Sequence, residues 1–307
     1  MRRRQRFVHW KKLLAVTIGV MVLFLVAGGL FAWSMVRDVE DTVKRGSEEL
    51  QISEERKHVE TIEEKRAVSV LLLGIDRRGV EQGRSDTMIV MTLNPETDEG
   101  AMLSIPRDTF MPIIGRDKED KVNHAYAFGG VEMALDTVEA FLDIPIDYVV
   151  EADLDGFIEV VDTVGGVTVM NKFAFESNGY TFPVGEVELD GEAALAFVQM
   201  RYEDPSGDFG RQERQRAVVT SIVQKSRDDF SMDTMSRLLD VVGQHAKTNL
   251  ELHELMTLST EYMDAFHNAS TLRLEGTGGL ASDDIYYWYA EESSLSAIKE
   301  ELKRLLE

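Results

Sequence analysis

The period of apolar and polar positions changes repeatedly along this chain, and each change marks an element. Leu13 to Val36 is mostly apolar and carries no charged residue, long enough for one helical crossing of about 30 Å of hydrocarbon. Residues 37–66 are dense in charges with scattered Val, Leu and Ile, as in Glu48-Glu-Leu-Gln-Ile-Ser-Glu-Glu-Arg-Lys57, and read as a charged stalk. Ala67-Val-Ser-Val-Leu-Leu-Leu73 is a continuous apolar run, too short for a helix and typical of a strand buried on both faces. Thr87–Leu93 and Ala101–Ile105 predict two more strands, separated by the turn-forming residues Asn94 to Gly100.

Gly129–Leu142 has helical spacing and stops before Asp143-Ile-Pro145. A strand over Asp147–Glu151, a short helix over Asp155–Val161, a strand over Gly165–Met170 and a helix over Asp190–Phe197 continue the alternation. Val198–Tyr202 and an arginine-rich turn then lead into a helix from about Arg211 to Arg227. Beyond Ser231, two helical stretches precede a strand-like Thr271–Leu274. Leu295, Ile298, Leu302 and Leu305 recur at helical spacing and predict a C-terminal amphipathic helix. Strands alternating with helices imply a layered α/β domain over residues 67–307.

Charge gives the apolar N-terminal segment a direction. Arg2, Arg3, Arg4, Arg6, Lys11 and Lys12 precede it with no acid among residues 1–12, which places that end in the cytoplasm and the rest outside, a single-pass type II arrangement. A cleavable signal peptide has a shorter apolar region, about 7–15 residues, so the longer run and Trp33 at its outer edge favour an uncleaved signal anchor over 13–36. Beyond residue 12 there remain 27 Lys and Arg against 55 Asp and Glu, a formal charge of −28, and such a surface repels nucleic acid.

The 307 residues include no cysteine, which excludes a disulfide framework, a thiolate metal site and a cysteine nucleophile. Phosphate-loop, zinc-protease and serine-hydrolase signatures are absent, and the six histidines form no metal pattern. What stands out is Met200-Arg-Tyr-Glu-Asp-Pro-Ser-Gly-Asp-Phe-Gly-Arg-Gln-Glu-Arg-Gln-Arg216, which sets Arg201, Arg211, Arg214 and Arg216 around glycines in a strongly acidic chain. Planar guanidinium forks match phosphate oxygens in pairs, so a pyrophosphate is the first ligand to consider. Arg211, Arg214 and Gln215 fall at i, i+3 and i+4 and would share a helix face near its positive end. An ion-pair network with Glu203, Asp204, Asp208 and Glu213 explains the same pattern.

Asp-Arg associations recur at predicted strand ends: Asp76-Arg77, Arg84-Ser-Asp86, Arg107-Asp108 and Asp208-Phe-Gly-Arg211. Asp76 and Asp86 flank one strand return, where two carboxylates suit magnesium, which needs only one or two of them plus phosphate oxygens. They would equally cap turns or pair with Arg77 and Arg84. The Tyr286-Tyr-Trp-Tyr289 cluster fits either sugar stacking or core packing.

Seven blocks in one order, Leu72-Leu-Gly-Ile-Asp76, Arg84-Ser-Asp-Thr-Met88, Ser104-Ile-Pro-Arg-Asp-Thr109, Lys121-Val-Asn-His-Ala-Tyr-Ala-Phe-Gly-Gly130, Val161-Asp-Thr-Val-Gly-Gly-Val167, Leu189-Asp-Gly-Glu-Ala-Ala-Leu195 and Gly207-Asp-Phe-Gly-Arg-Gln-Glu-Arg-Gln215, closely resemble the LytR-CpsA-Psr family of cell-wall glycopolymer ligases over residues 68–225. The Met200-Arg-Tyr-Glu-Asp-Pro205 segment is most similar to the Bacillus-type teichoic acid transferases within it. The resemblance implies a layered α-β-α domain with a central mixed sheet, an undecaprenyl-pyrophosphate-linked polymer as donor, peptidoglycan as acceptor, and an apolar tunnel between sheet and helices for the lipid.

It further implies magnesium on Asp76 and Asp86, and pyrophosphate on Arg84, Arg107, Lys121, Arg201, Arg211, Arg214 and Gln215, with Asn123 nearby. Arg107 would act directly in transfer, with Asp108 or Asp208 taking the acceptor proton. The chain departs from the family at Gln199, where an arginine is usual. A polyprenyl-pyrophosphate hydrolase and a non-catalytic envelope regulator are the alternative readings of the same residues.

Overall fold

The computed structural model describes residues 50–57, 62, 64–76, 83–200, 204–228, 232–281 and 284–307. The expected anchor at 13–36 and the basic residues before it lie outside these, and no helix among the described residues is long and apolar enough to cross a membrane.

At the centre is β1 (Val68–Asp76), hydrogen-bonded in parallel to β6 (Tyr148–Asp153) and antiparallel to β2 (Arg84–Asn94). The sheet extends through β3 (Glu99–Ser104) to β12 (Ser270–Leu272) on one side and to β11 (Ala246–Thr248) on the other, in the order β11-β6-β1-β2-β3-β12. Both parallel and antiparallel pairs occur, so the sheet is mixed, as expected.

Alternation along β1 explains its continuous apolar run. Leu71, Leu73 and Ile75 join Met88, Val90 and Leu103 on one face, packed against Ala134 and Val138 of a long helix, α2 (Asn123–Leu142), and against the C-terminal helix α9 (Glu292–Leu306). Val68 and Val70 face the other way with Tyr148, under Leu250, Tyr262 and Ala265. Helix α9 buries Ile298, Leu302 and Leu305 as its spacing predicted, and each such side chain contributes about 1.5–3 kcal/mol. A separate cluster, including Val161, Val169, Phe197 and Val218, joins α3 (Leu154–Thr163), β7 (Val167–Asn171), α4 (Gly191–Gln199) and α5 (Asp208–Asp228).

Three helices and one connecting segment differ from expectation. Helix α2 begins at Asn123, because Gly129 and Gly130 interrupt it with non-helical angles (φ −142° and 67°) and disguise its first turns. Helix α4 runs on to Gln199, and α5 starts at Asp208 rather than near Arg211. The described part of residues 37–66 lies against the domain: Leu50 and Ile62 are buried, and Arg56 in α1 (Glu54–Lys57) donates to Asp136 and to both oxygens of Glu139. Arg56 is thus tied to α2 by ion pairs.

Candidate functional site

The ends of β1, β2 and β6 meet α4 and α5 at a cavity of about 360 Å³. Its polar lining residues are Asp86, Arg107, Asp153, Gln199, Arg211 and Gln215; its apolar ones include Ile89, Phe157, Leu195, Val198 and Val219. Ligands in open α/β sheets bind at such strand ends.

Asp86 is presented by an irregularity in the ladder. Gly74 pairs with Thr87 and Ile75 with Ser85, so Asp86 is the extra residue of a bulge, which turns a side chain away from the pleat. Gly74 makes the bulge possible, since a Cβ there would lie 2.9 Å from Thr87 Cβ. Asp76 closes β1 in register with Arg84, and its side chain lies outside the described residues.

Arg107, in the turn after β3, is the hub. Its Nη1 donates to Asp86 Oδ1 at 2.7 Å, and its Nε sits 3.7 Å from Asp108 Oδ2. Burial would lower the Arg107 pKa, but Asp86, Asp108 and Asp208 outweigh it and hold the pKa above its ordinary value. Three carboxylates thus converge on one guanidinium. Arg107 Nε and Asn123 Oδ1 are buried without a hydrogen-bond partner among the described residues. Lys121 Nζ donates to Asp108 Oδ1 at 2.8 Å, and the Asn123 amide donates to the Arg107 carbonyl.

Helix α5 supplies the facing wall. Arg211 is 7% exposed and pairs with Asp208 at 2.6 Å, while Gln215 Nε2 donates to Thr87 Oγ1 at 2.9 Å. Arg214 points elsewhere. Its guanidinium pairs with the buried Asp204 and donates to the carbonyls of Phe197 and Met200, and the group lies over the rings of Phe175 and Phe197. Arg216 donates to Ser104 Oγ, away from the cavity. Arg211 thus lines the cavity while paired with Asp208, and Arg214 belongs to an ion pair that pins the turn to α4.

Of the remaining candidates, Arg84 is exposed and does not line the cavity, and Arg201 lies outside the described residues. Gln199 is on the cavity wall, where its Oε1 accepts from Asn178 Nδ2 at 3.2 Å. The sequence reading passed over Asp153, in register with Ile75 at the end of β6, where it caps α3 through Gly156 N. An acid closing a strand beside β1 was the available signal. It also passed over Phe157, Leu195 and Val219 as individuals, since any apolar helix position looks like core.

No group of three or more His, Asp or Glu forms a closed metal cage among the described residues. Asp86 in the cavity, one oxygen on Arg107 and one remaining, suits a cation that completes its shell with water and phosphate oxygens.

The LytR_cpsA_psr family model matches residues 34–304. The polyisoprenyl-teichoic acid–peptidoglycan teichoic acid transferase TagU of Bacillus subtilis is 44% identical over 298 residues, 97% of each chain. The B. subtilis TagU crystal structure superposes with a TM-score of 0.64 at 45% identity, covering 79% of this chain and 98% of that one. The structure of TagT bound to LIIa-WTA gives 0.67 at 35% identity, covering 79% and 91%.

Proposed function

Since the chain belongs to the LytR-CpsA-Psr family and is a transferase of phosphate-linked glycopolymers, we propose that it moves an anionic wall polymer, wall teichoic acid, from undecaprenyl pyrophosphate to a muramic acid C6 hydroxyl of peptidoglycan. The observation that carries this is the mixed lining of one cavity, in which guanidinium and amide donors stand together with aliphatic and aromatic side chains. A lipid pyrophosphate combines the same two chemistries.

Arg107, Arg211 and Gln215 bind the pyrophosphate oxygens, and the lipid begins along Phe157, Leu195, Val198 and Val219. The acceptor oxygen attacks the sugar-bearing phosphorus, the bond from that phosphorus to the bridging oxygen breaks, and polyprenyl phosphate leaves with the electron pair. Asp108 or Asp208, flanking Arg107, takes the hydroxyl proton. Catalysis of this kind is chiefly positioning and neutralisation of charge on the leaving phosphate. Magnesium held by Asp76 and Asp86 would add positive charge at those oxygens. Arg214 acts indirectly, by fixing the turn that carries Asp208 and Arg211. Residues 13–36 anchor the chain with the catalytic domain outside, where its lipid carrier and acceptor are both accessible.

The test is full-length protein with lipid-linked polymer, with and without peptidoglycan. Polyprenyl phosphate should appear together with peptidoglycan-bound polymer and only when acceptor is present. Release at the same rate without acceptor would identify a hydrolase instead.

A further inference from the structure

The hairpin formed by β13 (Gly276–Leu280) and β14 (Tyr286–Ala290) carries the aromatic cluster that the cavity does not use. Its two faces differ. Trp288 turns into the core and meets Phe209, whereas Tyr287 and Tyr289 share the opposite face, with Thr277 directly across from Tyr289. On that face Phe110, from β4 (Phe110–Ile113), lies edge-on to Tyr287 at 4.9 Å and tilted on Tyr289 at 5.4 Å. Tyr287 is buried, but Tyr289 is 42% exposed, Phe110 half-buried and Thr277 exposed.

This aromatic face is fastened to the reacting centre. Trp288 N donates to the Asp108 carbonyl at 2.9 Å, and Thr109 bridges to Trp288. Lys121 Nζ, which holds the Asp108 carboxylate, lies 5.7 Å from the Tyr287 ring centre. Glycines keep the hairpin thin: a Cβ on Gly276 would fall 2.5 Å from the Trp288 ring, and one on Gly278 only 1.9 Å from Tyr286 Oη. Asp108, Lys121, Phe110 and Tyr289 thus form one continuous path from a candidate proton acceptor to open solvent.

We propose that Tyr289 and Phe110, with the Thr277 hydroxyl beside them, form the acceptor subsite, on which a sugar ring of the β-linked amino-sugar strand stacks while its neighbour presents a hydroxyl to Asp108. This rests on the transferase reading above and assigns its acceptor side. Sugar rings offer apolar C–H faces ringed by hydroxyls, and exposed tyrosines meet both with one rigid surface. A membrane surface is the competing occupant, since Leu280 at the hairpin end is 70% exposed. The chain's net charge of −22 and Asp284 in the turn oppose docking on an anionic bilayer, and Leu280 pairs with Tyr286, on the other face from Tyr289.

The experiment uses full-length protein, lipid-linked donor and soluble amino-sugar oligomers as acceptor. Tyr289→Leu and Phe110→Leu keep apolar volume and remove the ring. Each should raise the acceptor KM about tenfold and leave the donor KM unchanged. An unchanged acceptor KM overturns the proposal, as does an equal rise in the hairpin control Leu280→Ser. Loss of binding to phosphatidylglycerol vesicles by Tyr289→Leu would assign the face to membrane instead and also overturns it. If wild-type protein shows no transfer at all, the transferase reading fails separately. Oligomer binding followed by tyrosine fluorescence, present in wild type and lost in Tyr289→Leu, still decides the subsite.

Discussion

Replacing Arg107 by lysine tests the arrangement at its hub, because charge is kept while the planar fork is lost. In the native site Arg107 donates to Asp86 at 2.7 Å, stands 3.7 Å from Asp108 and is held charged by these two and Asp208. A lysine ammonium is a point charge on a shorter reach and cannot serve Asp86 and a phosphate oxygen side by side. Losing one preorganised donor to transition-state charge costs about 2.7–4 kcal/mol, roughly 100- to 1,000-fold in kcat. Stability should fall less. The Asp86–Arg107 pair is part-exposed, with side chains at 33% and 23%, so its contribution is screened and about 1 kcal/mol is expected, or roughly 2–4 °C in Tm. The assay is transfer of lipid-linked polymer to peptidoglycan, run beside a thermal melt by circular dichroism. Transfer within threefold of wild type at an unchanged Tm would refute the role given to Arg107.

Arg214→Ala leaves Asp204 buried without its cation and should cost about 3–5 kcal/mol, lowering Tm by roughly 10 °C, while donor KM in the protein that remains folded changes little. A large KM rise at normal Tm would mean that Arg214 contacts the donor. Val219→Glu puts a charge among the apolar lining residues and should abolish the preference for long-chain over short-chain prenyl donors, read as the ratio of their kcat/KM values. Glu254, in α7 (Leu252–Glu261), is raised by burial above its ordinary pKa, although the Glu251 amide and the Tyr148 hydroxyl donate to it. The folded chain then binds more protons than the unfolded chain between the two values, so stability falls as pH rises through that window. Glu254→Gln removes this dependence, so urea unfolding should show a shallower fall of stability with rising pH in the variant; an unchanged or steeper fall would reject the assignment.

Much of this was legible in the residues alone. A run such as Val68–Leu73 has to be covered on both faces, whatever the rest of the chain does, and that requirement fixes a central strand in a layered domain. The spacing of Leu295, Ile298, Leu302 and Leu305 likewise fixes one buried stripe on α9. The seven ordered blocks pointed to the family and, through that resemblance, to Asp86, Arg107 and Arg211, which line one cavity. The strands of β4 and β14 were harder to recognise: four or five residues are too few to show a period, and their partners are the charged Lys118–Lys121 and the glycine-rich Gly276–Leu280.

Tertiary structure alone decided which arginine of α5 meets the cavity. Arg211, Gln215 and Val219 drift about 40° per step around the helix, whereas Arg214 falls about 60° to the other side of Arg211. Spacing places all of them within one broad face and cannot say where the face divides. The division is set by what packs on the far side, namely Asp204 and the carbonyls of Phe197 and Met200, which claim Arg214 and leave Arg211 to the cavity. The bulge that aims Asp86 has the same origin, since it depends on how β1 and β2 meet at Gly74 and Thr87. A sequence supplies the groups and their local periods; orientation comes from partners distant in the chain.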